Sequence, residues 1–382
     1  MEMRVNCRMK KKLLYIGHVY HYKTKSTSFL SELLSEYYDV DFATYDPESK
    51  TFHSDEIAIS SHYDILVLFQ MPAPVSQIKE HYKFQQGIYF PMFDGTGLAP
   101  DAFWLDYKDF TIINFSRTLN QRLEALGFAS HYIQYFPKPM EISDWGDCKS
   151  AFLWQRTESL TADTILPLLI QYNIKKLHIH NAPDPNHNVP EPSAEVKNIC
   201  QIIYSQWLET KEDMAKMIEA SSIYFAPRAY EGIGMSFLEA MAMGRCVVAV
   251  DHPTMNEYIE HGLTGCLYDI ACPSSETVNV PIIQRRTYAA IQEGHAKWEA
   301  EKLNIISWME MKPNVNRKLL RKTERNALYL KQYSIGNYFL VGKNPNGRFY
   351  LFGKIPIHAW LLKIIKRIYH ALLFLIKSEK HN

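Results

Sequence analysis

Short apolar runs alternate along this chain with polar stretches of helical period. Lys12 to Ile16 (KLLYI) predicts a first strand that runs into Gly17 and a polar loop over residues 18–25. Ser26 to Tyr37 follows with Phe29, Leu30, Leu33 and Leu34 on one helical face. Val40 to Ala43, Asp64 to Phe69, Gly87 to Phe90 and Thr111 to Phe115 predict further strands, and Arg117 to Leu126 a helix closed by Gly127. Tyr135 to Pro139 and the polar run to Lys149 interrupt the pattern and predict a linker. Beyond it, Ala151 to Trp154, Lys175 to His180, Ile223 to Ala226 and Cys246 to Val250 predict a second set of strands. Strands alternating with helices predict α/β architecture with parallel, doubly wound sheets.

The most informative stretch is Ile223 to Asp269. Its first strand stops at Pro227, a turn Glu231-Gly232-Ile233-Gly234 follows, and Met235 to Met243 carries Phe237, Leu238, Met241 and Ala242 on one helical face. Gly244 ends that helix before the buried strand Cys246 to Val250, completing a βαβ unit. Glycines ahead of a helix let the backbone approach a ligand, and the first-turn amides favour an anion. Glu231 and Glu239 bracket this turn, with Glu239 roughly 7.5 Å along the helix from its start. A diphosphate at the helix end would place a sugar near Glu231 and a ribose near Glu239, since carboxylates accept sugar hydroxyls. A dinucleotide fingerprint is disfavoured, because Phe237 stands at the third glycine position.

With its Glu-x7-Glu spacing, EGIGMSFLEAMAMGRCVVA resembles the donor-site signature of GT-B retaining glycosyltransferases of the family 4 type. The resemblance continues through Asn256 to Ile259 and His261 to Gly265, and extends more weakly over residues 12–270. It implies a GT-B fold: two Rossmann-like domains facing a cleft, the first for the acceptor and the second for a nucleotide sugar. It implies donor contacts from Gly17, Arg156, Gly232, Ile233, Gly234, Met235, Glu239 and Glu257, with Glu231 orienting the donor sugar. The lysine that usually follows the arginine is missing, since residues 157–161 read Thr-Glu-Ser-Leu-Thr; Arg228 is the candidate substitute. Asp251 to Asn256 (DHPTMN) departs from the family's glycine-pair loop near the donor sugar. His18 and Asp94 join the catalytic candidates from their places after predicted strands.

No metal is expected. His178 and His180 share one strand face without an evident third ligand, and Asp39-Val40-Asp41 only mimics the metal motif of another fold. The resembled scaffold generally works without a metal, so no cofactor is expected beyond the nucleotide-sugar substrate.

Composition adds a compartment and a partner. Length predicts more than one domain: residues 1–147 for the acceptor, 148–310 for the nucleotide sugar, and 311–382 as a basic extension. Six cysteines without a CxxC pair predict buried thiols in a reducing cytoplasm, and Leu13 to Ile16 is too short for a signal-peptide core. A net charge of +1 hides an asymmetry: Met311 to Asn382 holds 15 lysines and arginines against two acids. Trp360 to Ile376 places Trp360, Leu361, Ile364, Ile365, Ile368, Leu372 and Leu375 opposite Lys363, Lys366, Arg367 and His370. That pattern predicts a basic amphipathic helix lying on an anionic membrane surface, peripheral to the inner face of the cell membrane, and disfavours nucleic acid. Tyr350 to Pro356 resembles a short motif near the ends of some bacterial envelope-polysaccharide glycosyltransferases.

The sequence thus predicts a retaining enzyme that moves a sugar from a nucleotide sugar to a hydroxyl of an envelope glycan or lipid-linked acceptor. Two alternatives stay open: a non-catalytic glycan-binding or scaffold protein of the same fold, and a nucleotide-sugar epimerase.

Overall fold

The computed structural model describes residues 10–19, 26–54, 62–185, 187–206, 210–274 and 278–331, together with short strand segments between 334 and 357. The predicted amphipathic helix from Trp360 to Ile376 lies outside the described residues.

Two sheets form the body. The first holds β1 (Lys12–Gly17), β2 (Asp39–Asp46), β3 (Thr51–His53), β4 (His62–Phe69), β5 (Lys83–Phe90), β6 (Thr111–Asn114) and β7 (Ser130–Tyr132). Their spatial order is β3-β2-β1-β4-β5-β6-β7, parallel except for β3 against β2. The second holds β8 (Asp147–Gln155), β9 (Lys176–Asn181), β10 (Gln201–Ser205), β11 (Ser221–Phe225), β12 (Cys246–Val250) and β13 (Cys266–Tyr268). Its order is β10-β9-β8-β11-β12-β13, with every neighbouring pair parallel. Two such doubly wound sheets are the GT-B architecture expected from the sequence. In each, the strand order reverses once, between β1 and β4 and between β8 and β11. Loops leaving the strand C-termini at such a reversal diverge to opposite faces and open a crevice.

Helices on both faces explain why β12 and the second half of β11, from Ile223, read as apolar runs, since every residue of both strands is buried. One apolar cluster runs from Leu13, Tyr15 and Val67 of the first sheet to Leu153, Phe225 and Val248 of the second. The long helix Val280–Glu301 helps to join them. Trp298 meets Phe29 at 5.8 Å and Tyr135 at 5.1 Å, ring centre to ring centre.

The chain then returns to the first domain. In the helix Leu303–Glu310, Trp308 stacks on His131 at 4.8 Å, and Glu310 accepts from the Tyr38 hydroxyl at 3.0 Å. In the helix Arg317–Lys331, Leu320 enters the first domain's core and Thr323 Oγ1 donates to Leu126 O at 2.9 Å. The expected basic extension therefore packs on the first domain through Leu320, Thr323 and Ala327. Phe349–Leu351 pairs antiparallel with Val341–Lys343 and with Ile355–Ile357, so the motif around Tyr350 falls on a small sheet of its own.

A polar clamp also crosses between the domains. The Glu257 carboxylate accepts from Ser116 Oγ at 3.0 Å, Arg117 N at 2.6 Å and Thr118 N at 2.9 Å, at the start of the helix Arg117–Leu126. A carboxylate at a helix N-terminus satisfies amides that have no partner within the helix and complements the dipole. In Glu257→Ala, amide exchange at Arg117 and Thr118 is expected to accelerate about tenfold, and unchanged protection would remove the clamp's energetic role.

Candidate functional site

The crevice between β8 and β11 collects charge from three strand ends and from the opposite domain. Arg156 follows β8 directly, and its guanidinium lies over the Trp154 ring at 4.7 Å. Asp184 stands in the loop after β9. Its Oδ1 accepts from Arg156 Nε at 2.9 Å and Nη2 at 2.8 Å, and its Oδ2 accepts from Arg228 Nη2. Arg228 lies in the loop after β11, and its Nη1 reaches across to Asp94 Oδ2 at 3.3 Å. Asp94 belongs to the short helix Phe93–Thr96 after β5.

Glu231 completes the cluster. It is 6% exposed, and burial pushes its carboxyl up to about 7. Arg228 and Arg156 pull that value down, while Asp94 and Asp184 push it up. Burial likewise raises Asp94 against the pull of Arg228. Asp184 shifts the other way: desolvation opposes ionisation, and the two arginines outweigh it. Among the described residues, Glu231 Oε1 and Arg228 Nε are buried without a hydrogen-bond partner. Unsatisfied buried polar atoms are costly, so a pair of them at a strand-end crevice marks where a ligand's polar groups fit.

The turn between Glu231 and the helix Met235–Ala242 is built for close approach. Gly234 is that helix's N-cap at φ 85°, and a Cβ there would lie 1.8 Å from the Phe237 ring. Only glycine meets both demands. Gly232 packs on the opposite domain, where a Cβ would come within 2.8 Å of Met92 Cβ. No side chain caps the helix Met235–Ala242, so its first-turn amides face the site without an internal acceptor. Ile233 is buried and Met235 half-buried beside this turn.

The remaining predicted residues fall in three places. Glu239 is half-buried on the same helix, and its charge adds to the burial that pushes the Tyr135 phenol up to about 12. Gly17 ends β1, and His18 follows it half-buried beside Asp46, its imidazole lowered by burial. Both therefore stand at the first sheet's own reversal. Glu257 is committed to residues 116–118 and does not join the charge cluster. A helix N-terminus of the first domain takes both of its oxygens.

The two histidines on the β9 face share one partner. Ser205 Oγ sits 2.8 Å from His178 Nε2 and 2.9 Å from His180 Nδ1. Asp41 of the Asp-x-Asp mimic accepts from the Tyr63 hydroxyl at 2.9 Å and pairs with Lys12 at 3.3 Å.

Asp184, Trp154 and an aromatic group at the mouth went unpredicted. In that group Tyr230 stacks on His252 at 4.6 Å and meets Phe93 of the other domain at 6.3 Å. His252 belongs to the loop that departs from the family pattern. That loop borders a cavity of about 740 Å³ at the ends of β12 and β13, lined among others by Asp251, His261 and Asp269. Asp184 was legible in principle, since it follows the strand KKLHIH next to β8 at the strand-end side. Trp154 and His252 carried no separate signal.

Residues 160–277 match the family model described as "Glycosyl transferases group 1". No curated protein matches the chain in sequence. Among solved structures the chain is similar to TarM at 16% identity and TM-score 0.48, over 65% of this chain and 55% of that one, so it spans about half of TarM's length. It is similar to the lipopolysaccharide outer core galactosyltransferase WaaB at 14% identity and TM-score 0.47, over 84% of this chain and 99% of that one. Anabaena HepE, solved with UDP and glucose, gives 13% identity and TM-score 0.45 over 84% of this chain and all of its own. The segment that carries Asp184, Arg228, Glu231 and Glu239 is thus the one similar to glycosyl transferases of group 1.

Proposed function

We propose that the protein is a retaining glycosyltransferase that moves a hexosyl group from a nucleotide sugar to a hydroxyl acceptor. The observation that carries this reading is the crevice itself. Arg156, Arg228 and the open amides of the helix Met235–Ala242 meet there beside a buried, unpartnered Glu231 oxygen. As the bond from sugar C1 to the diphosphate breaks, negative charge grows on the leaving oxygen, and preorganised cations and amides stabilise it. Glu231 accepts a donor-sugar hydroxyl, and Glu239, one and a half turns along the helix, accepts from the ribose. The acceptor approaches from the first domain, on the side of Asp94 and His18. The reading assigns the leaving-group charge to these residues and needs no metal.

An anionic surface is the further partner we propose, with a lipid-linked or envelope glycan as acceptor. The helix Arg317–Lys331 buries Leu320, Thr323 and Ala327 and exposes Arg317, Lys318, Arg321, Lys322 and Arg325. Five exposed cations on one face match the charge of a phospholipid leaflet. Among the described residues, no helix is long and apolar enough to cross a membrane.

The test is binding and hydrolysis across UDP-, GDP- and ADP-sugars by the intact chain and by Arg156→Ala and Glu239→Ala. One donor is expected to bind selectively, with affinity falling at least about tenfold in each variant. Binding without hydrolysis or transfer would favour the non-catalytic reading, and absence of binding by every donor would overturn both.

A further inference from the structure

The crevice holds two guanidiniums, and the described structure already balances them. Asp184 takes Arg156 on one oxygen and Arg228 on the other, while Asp94 takes the second nitrogen of Arg228. Each cation is thus already paired with a carboxylate, and with Glu231 beside them no unpaired positive charge is left for a diphosphate to find. A ligand carrying two or more negative charges would bring them beside Asp184 unless that carboxylate yields its place. Like charges this close in a partly desolvated site oppose one another strongly.

The two carboxylates are not equally free to yield. Asp94 sits on the opposite domain, and its Oδ1 also accepts from Gly95 N at 2.9 Å. Asp184 stands in an irregular loop between Pro183 and Pro185, and its carboxylate accepts from the two arginines themselves. Its backbone N–H donates to Arg156 O at 2.9 Å, which anchors the main chain while the side chain keeps its rotamers. Swinging the carboxylate out therefore needs a side-chain rotation and no loop rearrangement.

We infer that Asp184 is an internal counter-ion that holds the place of the donor's diphosphate between Arg156 and Arg228 and is displaced when the donor binds. This rests on the nucleotide-sugar reading and deepens it. The carboxylate keeps two like-charged side chains aimed at one point, in a crevice where the expected lysine is missing. It is a positioning residue that competes with the ligand, so it sets affinity for the diphosphate and leaves the nucleoside untouched.

Titration calorimetry of the full chain with UDP, GDP, ADP, inorganic pyrophosphate and the matching nucleosides tests this in wild type, Asp184→Asn and Asp184→Glu. Asp184→Asn is expected to bind the preferred nucleoside diphosphate and pyrophosphate about tenfold more tightly than wild type. Asp184→Glu, which keeps the charge, is expected to stay within about threefold of wild type, and nucleoside affinity is expected to be equal in all three. A residue that merely braced the loop would weaken every ligand alike on substitution. Equal or weaker diphosphate binding by Asp184→Asn, with wild type still binding, overturns the counter-ion role and leaves the nucleotide-sugar reading standing. Binding by Asp184→Asn alone supports the counter-ion role, and no binding by any of the three proteins overturns both.

Discussion

Glu231→Gln is expected to raise stability at pH 8 by up to about 3 kcal/mol while lowering sugar transfer on the order of 100- to 1000-fold. The two effects have one cause. Burial raises this carboxyl from its ordinary 4.5 to about 7 in the folded chain, with Arg228 and Arg156 pulling down and Asp94 and Asp184 pushing up. Below pH 4.5 both folded and unfolded chains hold the proton, and the shift makes no difference. Between 4.5 and 7 the unfolded chain releases it while the folded chain keeps it, so stability declines as pH rises. Above 7 the folded chain carries a buried charge and the whole cost stands. Glutamine removes that cost, so the stability gain should vanish at pH 4.5 and be full at pH 8.

Urea unfolding of both proteins at pH 5 and pH 8 reads this directly. A gain of equal size at both pH values would mean that Glu231 does not titrate as its surroundings dictate. The loss of transfer follows because the amide presents a single neutral oxygen where the carboxylate presents two charged ones to the donor sugar. Transfer within a few-fold of wild type would take Glu231 out of the reaction. Opposite signs for stability and activity mark a site whose destabilising charge is kept for its chemistry.

What could be read from the sequence followed from local pattern. Unbroken apolar runs such as Cys246–Val250 announce strands buried on both faces, and the glycines at 232 and 234 announce a turn pressed against its neighbours. The strand at Gln201–Ser205 went unread because it lies at a sheet edge and none of its residues is fully buried. Cys266–Tyr268 is three residues long and merges with its loops. The helix Val280–Glu301 spreads its apolar residues widely, because it faces two domains at once through residues such as Ile283 and Trp298. Within the site, Arg156, Arg228 and Glu231 stand near strand ends that the pattern locates. Their pairing with Asp184 and Asp94 joins residues 28 to 134 positions apart, and no local period encodes that. Glu257 shows the same limit: its place beside the helix of the other domain depends on how the two sheets meet.

Arg245→Met is expected to lower stability by about 3–5 kcal/mol, the largest loss anticipated for a residue outside the crevice. Arg245 has no exposed surface, and its partners are carbonyls throughout. Its Nε donates to Met243 O at 2.9 Å, its Nη1 to Glu219 O at 2.8 Å and Ser221 O at 3.0 Å, and its Nη2 to Asp144 O at 2.6 Å. Those carbonyls belong to the interdomain linker, the entry to β11 and the end of the helix that starts at Gly234. One guanidinium thus fixes both ends of the element that carries Arg228 and Glu231. Methionine fills a similar volume and supplies no donor, so the carbonyls that only arginine reaches lose their partner. Arg245→Lys should recover part of the loss, since an ammonium makes fewer bonds and in a different geometry. Urea midpoints of the three proteins should therefore rank arginine, lysine, methionine. A methionine variant as stable as wild type would show that burying this charge offsets what its hydrogen bonds contribute, and that the strand is held by apolar packing alone.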